Sequence, residues 1–216
     1  MNKANLKKQI HKELGCFLNE HGFTKKKEGT YLKISNDIIC NICFSFGSIG
    51  FTCAVAMQPL YVPDHSPILH LTFGKRLSRF KVLQREWWPY DEPTRGIAEI
   101  KALLIKNGLP WFEKYCSPEG FIEFFVTGKV AEYGLFTDEY YQKQFVGFSL
   151  IRLGHLEEGI TVIQSMLSEI TERSAEWMHG YKARITELID TIQNNPDKVD
   201  DIVADIIQEN RVALKL

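Results

Sequence analysis

The sequence predicts an α+β fold: an antiparallel sheet of about four strands with packed helices, followed by an all-α helical C-terminal region. Three observations carry this. From Ile38 to Met57 apolar residues occupy every second position (Ile38, Cys40, Ile42, Phe44 and Phe46, then Phe51, Cys53, Val55 and Met57), which is the period of a strand. Upstream, Leu6, Ile10, Leu14, Phe17 and Leu18 recur at spacings of three and four, the period of a helix. Beyond about Gly128 only the helical period remains. The expected organisation is an α+β domain over 1–128 and a helical region over 129–216.

The first helix is expected over 5–21, with Gly22 placed to end it as a left-handed cap. Lys25, Lys26 and Lys27 read as a solvated turn. Thr30 to Ile34 reads as a first strand, with Leu32 and Ile34 inward and Tyr31 and Lys33 outward. Ser35-Asn36-Asp37 has the composition of a turn. The two alternating runs then form a hairpin closed by Gly47-Ser48-Ile49-Gly50. Glycine suits such a loop because it takes positive φ without penalty. Pro59, Pro63 and Pro67 end the hairpin in a connection, and Ile68 to Phe73 reads as the fourth strand.

From Thr94, read as an N-cap, the period becomes helical through Ile97, Ile100, Leu103 and Leu104, and Asn107-Gly108 is expected to stop it. Residues 109–115 predict a short helix. Ser117-Pro118 opens another, with a capping serine and proline at the first helical position, and the apolar run 121–126 should be buried. Four further helices are expected: Asp138 to Leu153, Leu156 to Thr171, Ser174 to Gln193 and Asp197 to Leu214. Asn194-Asn195-Pro196 separates the last two.

At 216 residues the chain suffices for one large domain or two small ones. No apolar run approaches the ~20 residues that span a bilayer, and the N-terminus lacks the apolar core of a secretory signal. No membrane partner is expected. An odd number of cysteines, five, without a dense framework fits a reducing, cytoplasmic setting. The net charge of −1 conceals an asymmetry. Residues 1–116 hold 17 Lys and Arg against 10 Asp and Glu, a balance of +7, whereas 117–216 hold 9 against 17, a balance of −8. Either the basic half meets an anionic partner or the two halves neutralise one another.

The segment 74–93 is the most distinctive in composition. Lys75, Arg76, Arg79, Lys81 and Arg85 are followed at once by Trp87, Trp88 and Tyr90. Such a cluster can bind phosphates or stack bases, or it can be a packed tryptophan pair beneath an arginine lid. Arg76, Arg79, Lys81, Trp87 and Trp88 are the candidate ligand- or partner-binding residues.

The sequence holds no recognisable catalytic constellation. Cys40 and Cys43 form a C-x-x-C, but inside an alternating strand they point to opposite faces, and no second pair completes a zinc site. They read as small buried apolar residues. Asp64, His65, Ser66 and His70 lie close in sequence without a nucleophile elbow. There is no Walker-type loop or dinucleotide fingerprint. Glu157-Glu158 and Asp200-Asp201 read as solvated charges. No catalytic residue, metal ligand or cofactor is expected.

Two family resemblances add to this reading. Gly147, Leu150, Leu153-Gly154, Leu156-Glu157-Glu158-Gly159-Ile160 and Ile163 resemble one tetratricopeptide-type helix hairpin near 143–166, with Gly147 and Gly159 at its small positions and Lys143 where the signature tryptophan would stand. Gly22-Phe23, Lys25-Lys26, Tyr31, Arg76 and Trp87-Trp88 resemble the uncharacterised bacterial domain-of-unknown-function family numbered 4304, over residues 5–126. That resemblance implies an α+β domain and transfers no catalytic residue.

The function expected is that of a non-enzymatic, cytosolic protein-interaction protein, and an immunity-type or phage-associated role is consistent with it. The alternative is a binding module for a small anionic ligand or nucleic acid through the basic, tryptophan-containing segment.

Overall fold

The computed structural model describes residues 3–63, 69, 73–80, 86–126, 139–172 and 174–216, with the backbone alone at 79 and 80. The architecture is α+β, one antiparallel sheet succeeded by helices to the C-terminus. The sheet is a meander of five strands in chain order: β1 (Thr24–Lys27), β2 (Thr30–Ser35), β3 (Ile38–Phe46), β4 (Phe51–Pro59) and β5 (Gly74–Arg76). The expectation of about four strands missed β1. Its sequence TKKK is exposed throughout and has no apolar alternation, so only backbone pairing with β2 makes it a strand. Lysines on such an edge also deter pairing with another chain. The strand expected at 68–73 falls mostly outside the described residues, and the described partner of β4 is β5, with Ala54 opposite Arg76 and Val55 opposite Lys75.

Asn36 and Asp37 join β2 to β3 with φ of +50° and +59°, the two positive values of a type I′ hairpin turn. Tyr31 then stands opposite Ile42, Leu32 opposite Asn41 and Lys33 opposite Cys40. Opposed residues share a face, so Tyr31, Lys33, Cys40 and Ile42 lie on one side of the sheet. That side meets α1 (Lys3–Glu20): His11 Nδ1 lies 3.1 Å from the Tyr31 hydroxyl, and the Tyr31 ring stands edge-on to Phe44. Tyr31 was expected outward and Ile34 inward. Tyr31 is instead 1% exposed, because α1 covers its face, and Ile34 is 38% exposed near the end of β2. Leu32, Ile39 and Asn41 on the opposite face are buried as well, so the strands are covered on both sides here.

α1 closes as foreseen. Gly22 has φ +83°, and Phe23 and Gly22 donate to the carbonyls of Leu18 and Asn19, which is a Schellman cap. The following helical layer differs from expectation at both ends. α2 (Pro93–Leu103) starts one residue before Thr94, with Pro93 in its first turn, and Thr94 accepts a hydrogen bond from Gln9. Gly108 does not stop the helix. A π-helical turn (Leu104–Gly108) runs on into α3 (Leu109–Tyr115), and a Cβ at Gly108 would press on Leu77 and Val55 at 3.3 Å. The glycine serves close packing. At the end of α3, Cys116 is disulfide-bonded to Cys40, and its carbonyl accepts from the Asn36 side chain. Cys40 is therefore not merely a small apolar filler; the partner 76 residues away was invisible to spacing.

Contacts divide the chain into two compact units, one holding the described residues of 1–58 and 70–116, the other those of 59–69 and 117–216. The second unit begins its helices at α4 (Pro118–Val126), where the Ser117 hydroxyl accepts from the Gly120 amide as a true N-cap. Phe121 and Phe125 of α4 pack on Phe145 of α5 (Glu139–Arg152). α6 (Leu156–Ser168) follows a second glycine cap, Gly154 at φ +83°. α5 and α6 approach closely at Gly147 and Gly159, where a Cβ on Gly159 would stand 2.7 Å from the Gly147 carbonyl oxygen. Lys143 pairs with Glu139 on its own helix and with Glu169 across this hairpin. α7 (Glu176–Asn194) and α8 (Val199–Leu214) complete the unit. α7 buries Tyr181 together with Ile185, Ile189 and Ile192. Residues 60–63 are tied to these helices by Tyr61 to Ser149 at 2.9 Å, Gln144 to the Pro63 carbonyl, and Asn210 to the carbonyls of Leu60 and Val62. Among the described residues no helix is long and apolar enough to cross a membrane.

Candidate functional site

The β3–β4 hairpin presents its tip to the tryptophan segment. Gly47 donates to the Gly50 carbonyl and closes the loop. On the far edge of β4, Phe51 exchanges both backbone hydrogen bonds with Trp88, at 2.9 and 2.8 Å, an antiparallel bridge that continues the pairing begun by β5. Extended chain sends successive side chains to opposite faces, and the two tryptophans divide accordingly.

Trp88 goes inward. It is 3% exposed, lies against Phe51 and Gly96, and its indole N–H donates to Glu99 at 2.8 Å. Glu99 also accepts from Arg95. A buried indole with its one donor satisfied is a core anchor. Trp87 takes the other face, half-buried, with its ring over Gly47 at 3.0–3.5 Å from that residue's Cβ position. The Arg76 guanidinium stands 5.3 Å from the Trp87 ring centroid and is ion-paired with Glu86. Tyr90 donates its hydroxyl to the Gly47 carbonyl at 2.8 Å and stacks on Phe51. Ile49, at the apex of the loop, is 70% exposed.

Of the five residues the sequence singled out, the structure therefore brings Arg76 and Trp87 together, with Trp88 on the opposite face. Arg79 lies in a 3-10 turn (Leu77–Phe80) with its backbone alone described, and Lys81 lies outside the described residues. So do Asp64, His65, Ser66 and His70. Among the described residues no three His, Cys, Asp or Glu side chains gather as a metal site. The glycines of the loop play a different part from the one expected. Neither Gly47 nor Gly50 has positive φ. They are small because the Trp87 ring and the Trp88 carbonyl lie where side chains would begin.

One member of this patch gave no sequence signal: Ile49, which reads as an ordinary loop residue; Tyr90 was visible in the aromatic segment, but its reach to Gly47 depends on the bridge. A basic cluster was likewise illegible as a unit. Lys7 of α1 pairs with Glu28 at 3.1 Å and lies over the Phe46 ring, and Lys3 donates to the Phe46 carbonyl. The Lys7 hydrogen bond and charge, with Lys25 and Lys8 nearby, hold the Glu28 carboxyl below its ordinary range. Lys7 and Lys25, 18 residues apart in sequence, meet here because β1 runs beside α1.

The fold and site define an α+β sheet domain continued by helices, with an aromatic and arginine patch at a hairpin tip. Comparison with known proteins returned no matching family model, no matching curated protein and no matching solved structure.

Proposed function

We propose that this protein is a non-enzymatic protein-interaction protein whose partner engages the hairpin tip. The observation that carries the reading is the grouping of exposed Ile49 with Trp87, Tyr90 and Arg76 around one loop. Trp, Tyr and Arg around an apolar anchor is the composition of an interface hot spot. The Arg76 charge already meets Glu86, which lowers its appetite for a free anion while leaving its flat face and methylenes available for packing. An immunity-type or phage-associated role fits a small binding protein of this kind.

The test is a photo-cross-linking residue placed at Ile49 in host cells. A single partner should be captured, and the same placement in a Trp87→Ala background should lose it. Capture that is unchanged by Trp87→Ala, or no capture at all, overturns the assignment of this surface.

A second reading, binding of a small anion or nucleic acid, is favoured by the cluster of Lys7, Lys8 and Lys25 around the single carboxylate of Glu28. It predicts oligonucleotide binding that falls steeply with salt. Lys7→Ala plus Lys25→Ala should weaken that binding, while Trp87→Ala leaves it unchanged.

A further inference from the structure

A groove lies between α7 and α8 in the second unit. Its floor is apolar, made by Ile185 and Leu188 of α7 with Ile202 and Ile206 of α8, and its volume is about 310 Å³. That is the lower end of the range for small-ligand pockets, ~300–1,000 Å³, which suits one or two side chains rather than a larger molecule. Leu188 and Ile202 are only half-buried. One wall is Pro63, held in place because the Asn210 side chain donates to the Leu60 and Val62 carbonyls at 2.7 and 2.9 Å.

The rim is charged and mostly of one sign. Asp205 and Glu209 stand four residues apart on α8, so their carboxylates project on the same side of the helix. Both are exposed, and neither has an ion-pair partner among the described residues. Arg184 opposite them leans on the Tyr181 ring at 5.6 Å. The half of the chain that contains the groove carries a balance of −8, from 9 basic against 17 acidic residues in 117–216.

We propose that this groove docks a cationic amphipathic segment of a partner protein, with a Lys or Arg side chain seated between Asp205 and Glu209. Charge complementarity selects the occupant: an anionic segment meets two unpaired carboxylates, and an uncharged apolar segment leaves both unanswered. The methylene stem of the cation lies on Leu188 and Ile202, and its head reaches the rim, the arrangement such side chains adopt over apolar surface. Neighbouring apolar residues of the segment fill the floor. This surface is separate from the hairpin tip, and the proposal stands whether or not the tip binds.

The experiment uses the full chain and a dye-labelled helical peptide of leucine and lysine in heptads, followed by fluorescence anisotropy, beside the same peptide with glutamate for lysine. The lysine peptide should bind saturably and the glutamate peptide should not. Asp205→Asn plus Glu209→Gln should weaken binding about tenfold or more, and Ile202→Ser should weaken it further. Glu157→Gln plus Glu158→Gln on α6 makes the same change in net charge away from the groove and should leave the affinity within about twofold. Trp87→Ala should have no effect, which separates failure here from failure at the hairpin tip. Circular dichroism of each variant establishes that the helices are intact. Equal losses from the two double variants would mean diffuse attraction to an acidic surface and overturn the groove, as would binding of both peptides or of neither.

Discussion

The carbonyl oxygen of Trp88 occupies the place where a side chain at Gly50 would begin: a Cβ built on Gly50 stands 2.1 Å from it. The contact is backbone against backbone, so no rotamer change relieves it. Gly50→Ala is expected to cost about 3 kcal/mol, the upper part of the overpacking range, because the Phe51–Trp88 bridge must give way. Gly180 of α7 supplies the contrast. Nothing lies within 4 Å of its Cβ position, and alanine for glycine inside a helix gains about 0.5–1 kcal/mol. Urea denaturation should move the two variants in opposite directions.

The adjacent tryptophans should separate stability from binding. Trp88→Ala removes a buried ring and leaves Glu99 without its indole donor, for a loss of about 3–5 kcal/mol. Trp87→Ala removes a half-buried ring and one cation–π contact, about 1 kcal/mol. Equal losses in thermal or urea unfolding would contradict the opposite-face arrangement.

The same pair marks what was legible in the sequence. The strands of the hairpin were, because their apolar residues recur with the period of two that extended chain imposes on its faces, even though both faces are covered from Ile38 to Ile42. Gly22 and Ser117 were, because capping chemistry is local. The lysine strand β1 was not, since backbone pairing alone defines it. Gly47, Gly50 and Gly108 looked like breakers and proved to be contact sites, a property of residues far away in the chain. For the same reason Arg76, Trp87 and Tyr90 could be read as one basic and aromatic segment, whereas Ile49 could not be joined to it. Nothing in their own sequence reports that the loop and segment 86–90 meet.

The α5–α6 hairpin gives a further expectation. Gly147 and Gly159 each leave room for the other's carbonyl, with Cβ distances of 3.1 Å and 2.7 Å. Gly159→Ala should push the helices apart and cost about 2–3 kcal/mol, and Gly147→Ala should cost a similar amount by meeting Ile163 at 2.5 Å. Because both changes open one interface, the double variant should lose less than the sum of the two single losses. Additive losses measured by urea denaturation would show that the glycines do not share a contact.

The cysteines fall into four environments, which thiol labelling can distinguish. Cys16 is exposed, and its hydrogen bond to Glu20 raises its pKa; Cys43 is half-buried; Cys53 is buried; Cys40 and Cys116 are bonded to each other. Without reductant, the unfolded chain should take up label at Cys16, Cys43 and Cys53 alone, and reduction should add Cys40 and Cys116. Label at Cys40 or Cys116 before reduction would show that the pair exists as thiols. Reduction should cost about 4–5 kcal/mol for a crosslink spanning 76 residues. Burial also pushes the Cys53 thiol well above its ordinary value. Its folded pKa therefore exceeds its unfolded one. The stability this contributes is fully present below the unfolded pKa of about 8.5 and is lost as pH rises toward the folded value. Melting temperature should decline from about pH 8.5 upward. The decline should be shallower in Cys53→Ala, which lowers stability at every pH by leaving a cavity but removes this titration. Identical slopes in the two proteins would show that Cys53 ionises as readily folded as unfolded.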